Sequence, residues 1–456
     1  MNRKAALKNR PVQTALATTC ALAALASWSP RATAQAPLST APTRATDGNT
    51  APPTPAPAVQ AAQETADGSK PWAPPATFGE WASGIKLGFQ AEGGIVLNTR
   101  SPNAQANFGQ LFTDKPNRPI LNQVLLTAAR DIDPAATSWD FGFKFQAMYG
   151  SDARIVHTLG VFDQLIHDRN QLAVVEANVA VRVPIFQGGM DVKGGIYPTP
   201  LGVEVIDPKG NVFYSKSYIF NYGLPFKHTG VLTTSHVSPM VDIYAGIDSG
   251  VNTSLGSGDN NDRPGGIAGI GLNLLGGNLT VLALTHIGPE NPSRTTPFGN
   301  SANRFLNDVA VVWKATDKLT FTTELNYARD DGFRAEAYGV AQYASYALTD
   351  SITLNGRAEV FRDNNNFFVS NPRSNRDYVN AQLGNYATLI TAPSPTTYSE
   401  FTAGITYKPQ GLPGAFKTLM LRPEVRYDRA LNDTTPYANG RARGVITASA
   451  DIVLGF

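Results

Sequence analysis

The chain has 456 residues, of which 42% are hydrophobic and only 16% are charged, and its mean hydropathy is −0.18. Soluble domains carry about 25% charged residues, so this chain is short of charge without being rich in apolar residues. The hydropathy excludes a bundle of transmembrane helices, because each helix needs about 20 mostly apolar residues in a row.

The formal net charge of +2 originates in the N-terminal segment. Residues 1–34 hold five basic residues and no acidic one. The rest of the chain has 33 basic and 36 acidic residues, which is a net charge of −3. The basic residues therefore give no indication of nucleic-acid binding, and we expect no nucleic-acid partner.

Residues 1–34 are organised like a secretory signal peptide. The basic region Arg3–Arg10 precedes the apolar stretch Ala15–Ala26, which is too short to span a bilayer, and small residues end the segment at Ala34. We expect cleavage after Ala34 and export across a bacterial inner membrane. The only cysteine, Cys20, lies in this segment, so the mature chain has no disulfide framework.

Residues 35–77 are rich in Pro, Ala and Thr, with nine prolines and almost no large apolar residue. Such a segment cannot bury enough surface to offset its ordering entropy, which predicts a disordered linker. A plain spacer is the simpler interpretation. The alternative is a tether that contacts the cell wall.

From residue 78 to residue 456, apolar and polar residues alternate with a period of two, which is typical of β-strands with one apolar and one polar face. The clearest segments are Trp139–Tyr149, Val175–Val183, Val241–Asp248, Leu319–Tyr327 and Leu419–Tyr427. They approach ten residues, the length that crosses a bilayer at a 45° tilt. Their polar faces carry full charges and their ends carry aromatic residues, which favours a transmembrane β-barrel over a soluble sandwich.

Tight connections alternate with long polar ones along this region. Gly276–Asn278 and Thr349–Ser351 are short, whereas Asn98–Pro119, Asp248–Pro264 and Arg362–Pro395 are long. Bacterial outer-membrane barrels have short periplasmic turns, long extracellular loops and an even number of strands. The chain has roughly 16 to 18 candidate strands, and the even number predicts an all-β, antiparallel outer-membrane barrel of about 16 strands.

If the apolar faces meet lipid, the charged side chains face the lumen, because a charge on the lipid face costs roughly 2–4 kcal/mol near the midplane. The predicted pore-lining residues are Lys86, Glu92, Lys144, Glu176, Arg182, Glu324, Arg357, Glu359, Arg422, Glu424 and Arg426. A wall of mixed sign favours small polar solutes, and we expect Arg422 and Arg426 to influence ion selectivity. The same charges could also simply pair between neighbouring strands.

The connection Thr199–Thr229 is long and rich in Pro, Gly and Tyr. Long connections in compact domains tend to be functional, so we expect part of it inside the lumen, with Glu204, Lys216 and His228 as candidates at a constriction. The surrounding stretch Gly194–Val231 resembles the OmpL-like beta-barrel porin-2 family, in Thr199-Pro-Leu-Gly, in Tyr214-Ser-Lys-Ser-Tyr and in His228-Thr-Gly. The resemblance covers Ile85–Phe456 and implies an outer-membrane barrel that passes small solutes.

The chain ends in an alternating strand that finishes on an aromatic residue. Ile452, Leu454 and Phe456 resemble the C-terminal signal that the barrel-assembly machinery recognises in outer-membrane proteins. An ordinary closing strand is the alternative. The other expected partners are outer-membrane lipids, and the chain is either a monomer or a homotrimer.

No catalytic, cofactor or metal site emerges from the residues. The five histidines lack zinc-site spacing, and Asp259–Asp262 lacks the spacing and the glutamate of an EF-hand, which favours a solvated turn. No Ser/His/Asp set can be picked out from sequence. The leading hypothesis is a porin for passive diffusion of small polar solutes; a cell-wall anchor and an outer-membrane hydrolase are the alternatives.

Overall fold

The computed structural model describes residues 77–100, 106–165, 167–186, 188–294, 298 and 300–456. The predicted signal peptide and all but the last residue of the predicted linker lie outside these residues. The two boundaries, after residues 34 and 77, therefore stay predictions, and so does the tethering role of the linker.

Long antiparallel strands make up most of the described chain, because the period-two segments place apolar side chains on one face of each strand. The membrane-crossing strands are β1 (Lys86–Asn98), β2 (Pro119–Arg130), β3 (Asp140–Gly150), β4 (Gln171–Val183), β5 (Met190–Pro198), β6 (Lys227–Ser238), β7 (Val241–Asp248), β8 (Gly265–Leu274), β9 (Leu279–Pro289), β10 (Asn303–Lys314), β11 (Leu319–Asp330), β12 (Ala335–Ala347), β13 (Ile352–Asp363), β16 (Thr396–Tyr407), β17 (Thr418–Leu421), β18 (Glu424–Ala430) and β19 (Gly444–Gly455).

Each strand pairs with the next along the chain, and β19 pairs with β1 from Gln90 opposite Gly455 to Asn98 opposite Thr447. The sheet is therefore closed. β17 and β18 are two parts of one crossing, since both pair with β16 and with β19 and they are separated only at Arg422 and Pro423. Proline has no N–H to donate to the ladder, which explains the break. The prediction of a 16-strand antiparallel barrel is confirmed.

The two ends of the barrel differ. We call the end where β1 begins and β19 finishes the turn end; it carries short connections such as residues 239–240, 275–278 and 315–318. The opposite end, the loop end, carries longer connections such as residues 249–264 and 364–395. In outer-membrane barrels the short turns are periplasmic.

Apolar side chains cover the outside of the barrel. Leu87, Val179 and Ile247 are 73%, 62% and 60% exposed, whereas the charged residues between such positions point inward. Along β18, Val425 and Tyr427 are exposed, and Glu424, Arg426 and Asp428 are buried. This arrangement suits lipid outside the wall and polar groups within it.

Among the described residues, two short α-helices and a small hairpin are not part of the barrel wall. Helix α1 (Phe78–Ser83) precedes β1 and starts with a capping box, in which the Thr77 hydroxyl accepts a hydrogen bond from the backbone N–H of Glu80. Helix α2 (Asp377–Leu383) and the hairpin formed by β14 (Ser370–Pro372) and β15 (Leu389–Thr391) belong to the connection between β13 and β16.

Among the described residues, no helix has both the length and the apolar character needed to cross a membrane.

Candidate pore and its inner segment

The connection between β5 and β6 lies inside the barrel. We call this connection, Thr199–Phe226, the inner segment; it contains a 3-10 turn at Pro208–Gly210 and a π-helical turn at Ile219–Gly223. It starts and ends on neighbouring strands, but its hydrogen bonds reach strands on the opposite side of the barrel, including β11, β13 and β18. The segment therefore crosses the lumen.

Two wall carboxylates hold the backbone of the inner segment. Glu424 accepts the N–H groups of Tyr214 and Ser215 at 2.9 and 3.1 Å. Glu359 accepts those of Tyr218 and Ile219 at 2.7 and 2.8 Å, which satisfies N–H groups at the start of the π-helical turn. Each carboxyl group accepts two consecutive backbone N–H groups, so these contacts fix the path of the segment.

Arginines of the wall bind the carbonyl groups of the inner segment. Arg422 donates to Pro208 O at 2.9 Å and to Asn211 O at 2.8 Å, and Arg357 donates to Ser215 O at 3.0 Å. A guanidinium has five donors, so one buried arginine can bind carboxylates and carbonyls at the same time.

The same arginines are paired with carboxylates. Arg422 lies 2.9 Å from Glu92 and also pairs with Asp451. Arg357 lies 3.0 Å from Glu400 on β16. Each of these buried arginines therefore binds carboxylates of the wall and, in addition, carbonyl oxygens of the inner segment.

The interior also contains apolar packing, which the alternation along the strands did not predict. The Tyr218 ring stacks on Tyr398 with centroids 4.9 Å apart, and its hydroxyl lies 2.9 Å from that of Tyr437. A second cluster joins Phe220 and Phe226 of the inner segment to Phe112, with centroid distances of 5.4–5.5 Å. Aromatic contacts of this kind add about 0.5–1.5 kcal/mol each beyond area burial.

The predicted pore-lining residues divide into two groups. Nine lie on the inner face but are buried, in contact with the inner segment, with one another or with neighbouring wall residues; they are Glu92, Glu176, Arg182, Glu324, Arg357, Glu359, Arg422, Glu424 and Arg426. Their charges are therefore shielded from water by packing. The sequence shows which face a side chain occupies, but it does not show what covers that face.

The other two predicted pore-lining residues, Lys86 and Lys144, are less buried, and they also form ion pairs. Lys86 is exposed and pairs with Asp131 at 3.2 Å, and Lys144 lies 2.6 Å from Glu176. Arg182 lies 2.6 Å from Asp191. Pairing between adjacent strands, which was the alternative interpretation of these charges, therefore occurs here.

The constriction candidates occupy different places. Glu204 lies in the inner segment and pairs with Arg357 at 2.6 Å. Lys216 also lies there, with its ammonium 3.2 Å from Val205 O, and burial lowers the pKa of Lys216 below its ordinary value. His228, by contrast, is not in the inner segment, which ends at Phe226: it is the second residue of β6 and is fully buried. The predicted span Thr199–Thr229 was three residues too long, because the β6 ladder begins at Lys227.

The Asp259–Asp262 loop shows the hydrogen bonds of a turn. Asp259 Oδ1 accepts the backbone N–H groups of Asn261 and Asp262, both at 3.0 Å. Asp side chains commonly close turns in this way.

A cavity of about 650 Å³ lies at the turn end, against the inner faces of β3 to β7. We call it the vestibule. Its charged lining residues are Arg130, Asp131, Lys144, Arg182, Asp191, Lys193, His236 and Asp242.

Ion pairs hold most of these vestibule charges. Arg130 lies 2.9 Å from Asp140, and His236 lies between Asp242 at 2.7 Å and Asp191 at 3.3 Å. Lys193 has no ion pair or hydrogen bond of its side chain within the part of the chain that the structure describes. It is the vestibule cation most available to a passing anion.

A closed antiparallel barrel with an apolar exterior, charged inner wall and a segment folded into the lumen defines an outer-membrane channel. The chain belongs to the family described as "Putative beta-barrel porin-2, OmpL-like", whose model matches residues 84–456. It is a bacterial outer-membrane porin rather than an enzyme, so the hydrolase alternative is wrong.

Solved outer-membrane proteins resemble the barrel at low identity. The outer membrane channel DcaP of Acinetobacter baumannii is 10% identical, with a TM-score of 0.47, over 82% of this chain and 97% of that one. OprB of Pseudomonas putida is 12% identical, with a TM-score of 0.48, over 84% and 96%. Salmonella typhi OmpF in complex with daunomycin is 11% identical, with a TM-score of 0.50, over 82% and 97%, and this likeness concerns the fold alone. No curated protein matches the chain.

Proposed function

We propose that the protein lets small polar solutes cross the outer membrane by passive diffusion. The observation that carries this proposal is the vestibule of about 650 Å³, which is lined by charges of both signs. Neighbouring charges of opposite sign give polar solutes hydrogen-bonding partners without a deep electrostatic trap, as conduction requires. The inner segment narrows the path beyond the vestibule, so we expect a small conductance for a barrel of 16 strands.

The vestibule gives this channel a modest preference for anions. Lys193 supports it, because its charge is not balanced by an adjacent carboxylate, whereas Arg182 and Lys144 have carboxylate partners at 2.6 Å. Charges in a narrow lumen with low-dielectric walls are screened less than charges on a surface.

Single-channel recording in planar bilayers tests the proposal. The purified, heat-modifiable barrel should give discrete conductance steps, and a salt gradient should give a reversal potential on the anion-selective side. Folded protein that inserts without conducting would overturn the channel proposal.

The Lys193→Glu variant tests the anion preference separately. It should shift the reversal potential towards cations and leave conductance steps in place. Lys318→Glu is the matched control, since Lys318 is exposed in the turn between β10 and β11. Equal reversal potentials for the two variants would overturn the proposed role of Lys193 in anion preference and would leave the channel proposal unaffected.

The homotrimer stays a prediction. Size-exclusion chromatography with light scattering in detergent distinguishes it from a monomer, after the detergent mass is subtracted.

A further inference from the structure

A buried cluster of metal-ligating side chains lies near the loop end. His228 near the start of β6, Asp248 at the end of β7 and His286 on β9 place one ligand atom each within 4.8 Å of the others. All three side chains are fully buried. The residues come from three separate strands, so the cluster has no sequence motif.

The distances in the cluster match those between ligands of a small ion. His228 Nδ1 lies 3.3 Å from Asp248 Oδ2, and His286 Nε2 lies 3.0 Å from Asp248 Oδ1. A tetrahedral zinc site with bonds of about 2.0–2.1 Å separates its ligand atoms by roughly 3.3 Å. Imidazole and carboxylate are both ordinary zinc ligands.

Buried polar atoms in this cluster are unsatisfied. His228 Nδ1 and Asp248 Oδ2 are in contact at 3.3 Å without the geometry of a hydrogen bond, and neither buried atom has another hydrogen-bond partner among the described residues. Buried polar groups in native structures are nearly always paired, so two such atoms that face each other point to a missing ligand.

A polar group outside the cluster orients one of the two rings: His228 Nε2 lies 3.1 Å from the Thr199 hydroxyl. His286 Nδ1 and Glu290 Oε1 lie 3.7 Å apart, and neither has a hydrogen-bond partner among the described residues. Metal-bound histidines almost always direct the other ring nitrogen to a hydroxyl, carbonyl or carboxylate in this manner.

Gly265 on β8 leaves the cluster open. A Cβ at this position would lie 2.7 Å from His286 Nε2 and 2.9 Å from Asp248 Oδ1. Any side chain there would occupy the space beside both ligand atoms.

We propose that His228, Asp248 and His286 bind one divalent transition-metal ion, with zinc as the preferred ion. Water takes the fourth position. The carboxylates of Asp248 and nearby Glu290 offset the charge of the ion, as a buried cation requires.

The ion closes the base of the inner segment. Thr199, the first residue of that segment, contacts His228, and its N–H donates to Phe226 O at 2.9 Å. Both ends of the inner segment therefore meet at the site. The proposed role is structural and does not depend on which solutes the channel passes.

Zinc analysis of the full-length, folded barrel tests the proposal. The protein is stripped with a chelator in detergent, incubated with zinc chloride, desalted and measured by mass spectrometry. We expect about one zinc per wild-type chain, at least a tenfold weaker affinity for His228→Asn and His286→Asn, and no change for His167→Asn, which removes an exposed loop histidine.

Two further measurements keep the test decisive. Cobalt(II) in the wild-type barrel should give the visible absorption of a tetrahedral site. Zinc should raise the temperature at which the folded, fast-migrating band of the wild-type barrel disappears in gel electrophoresis. A folded wild-type barrel that retains no zinc overturns the proposal, whatever the variants do. So does a folded His286→Asn variant that retains zinc as the wild type does.

Discussion

At the scale of single residues, the inner wall is held by arginines that each serve several partners. Arg422 pairs with Glu92 on β1 and Asp451 on β19, and it also donates to two carbonyls of the inner segment. Removing one partner of a buried charge pair is costly, because the other charge stays buried without compensation.

We therefore expect Arg422→Met to destabilise the barrel by roughly 3–5 kcal/mol. Glu92 and Asp451 would then lie close together without the guanidinium that they share, and Pro208 O and Asn211 O would lose their donor. Unfolding in urea measures the change in the free energy of unfolding, with the folded fraction determined from heat-modifiable migration on a gel. Arg429→Met is the matched control, since Arg429 is exposed on the outer face of β18, and equal stability of the two variants would contradict this assignment.

The same reasoning changes the expectation for selectivity. Arg422 and Arg426 were expected to influence ion selectivity from the lumen wall, but both are buried. Replacing them with glutamate would place new carboxylates beside Asp451 and Asp428, so loss of stability should precede any change in ion preference.

Asp114 gives a pH-dependent contact between two loops. Burial raises the pKa of Asp114, but the guanidinium groups of Arg154 and Arg169 outweigh it and hold the pKa below its usual value. A lowered carboxyl pKa stabilises the fold above the unfolded-state pKa of about 4, and the contribution is lost as pH falls through the folded-state value.

We therefore expect residues 106–118 to become more protease-sensitive as the pH falls below about 4. Asp114→Asn should be sensitive already at neutral pH, with a smaller change on acidification. Limited proteolysis with an acid-active protease, mapped by mass spectrometry, measures both. Identical pH profiles for the variant and the wild type would show that Asp114 does not hold the loop.

At the scale of elements, β19 closes the barrel against β1, and the chain end adds contacts beyond that ladder. The Phe456 N–H donates to Phe89 O at 2.9 Å, and the Phe456 ring lies 5.4 Å from that of Phe89 and 4.7 Å from that of Phe416. These contacts concern the folded barrel, and recognition of Phe456 by the assembly machinery stays a prediction.

Deleting Phe456 should prevent insertion and leave the chain to periplasmic proteases, because Phe456 with Leu454 and Ile452 forms the predicted assembly signal. Cell fractionation and heat-modifiable migration measure the result. Phe416→Ala is the control, since it removes a ring contact of Phe456 but keeps the C-terminus. Normal insertion of the deletion variant would contradict the signal, and equal failure of both variants would assign the defect to packing.

At the scale of the whole molecule, the inner segment determines how much of the lumen is open. It bonds to β1, β2, β11, β13, β16 and β18, so it connects walls on opposite sides of the barrel. The apolar clusters around Tyr218 and Phe220 add to this connection.

Replacing residues 203–222 with a short Gly/Ser linker should increase single-channel conductance several-fold. The segment would no longer fill the lumen, and the charged side chains of the wall would be exposed to water. The closed sheet should persist, since its ladder hydrogen bonds do not involve these residues. Deleting residues 411–414, of which all but the half-buried Leu412 are exposed, shortens the connection between β16 and β17; this control should leave conductance unchanged. Equal conductance of the shortened and wild-type barrels would mean that the segment lies outside the conducting path.

The sequence by itself determined the class of fold and the direction of each face. Alternation along Leu419–Tyr427 predicted an outward Val425 and an inward Arg426, because successive side chains of a strand point to opposite faces. The count of alternating segments, with the even strand number of such barrels, predicted about 16 strands, since each segment is a local feature of the chain.

Only the tertiary structure decided what covers the inner face. Arg422 meets Glu92 from the other end of the chain, and His228, Asp248 and His286 meet from three strands. A period of two places a side chain inside the barrel, but its partner there depends on closure of the sheet and on the path of the inner segment. Those contacts are set by packing between distant segments, so no local pattern in the sequence contains them.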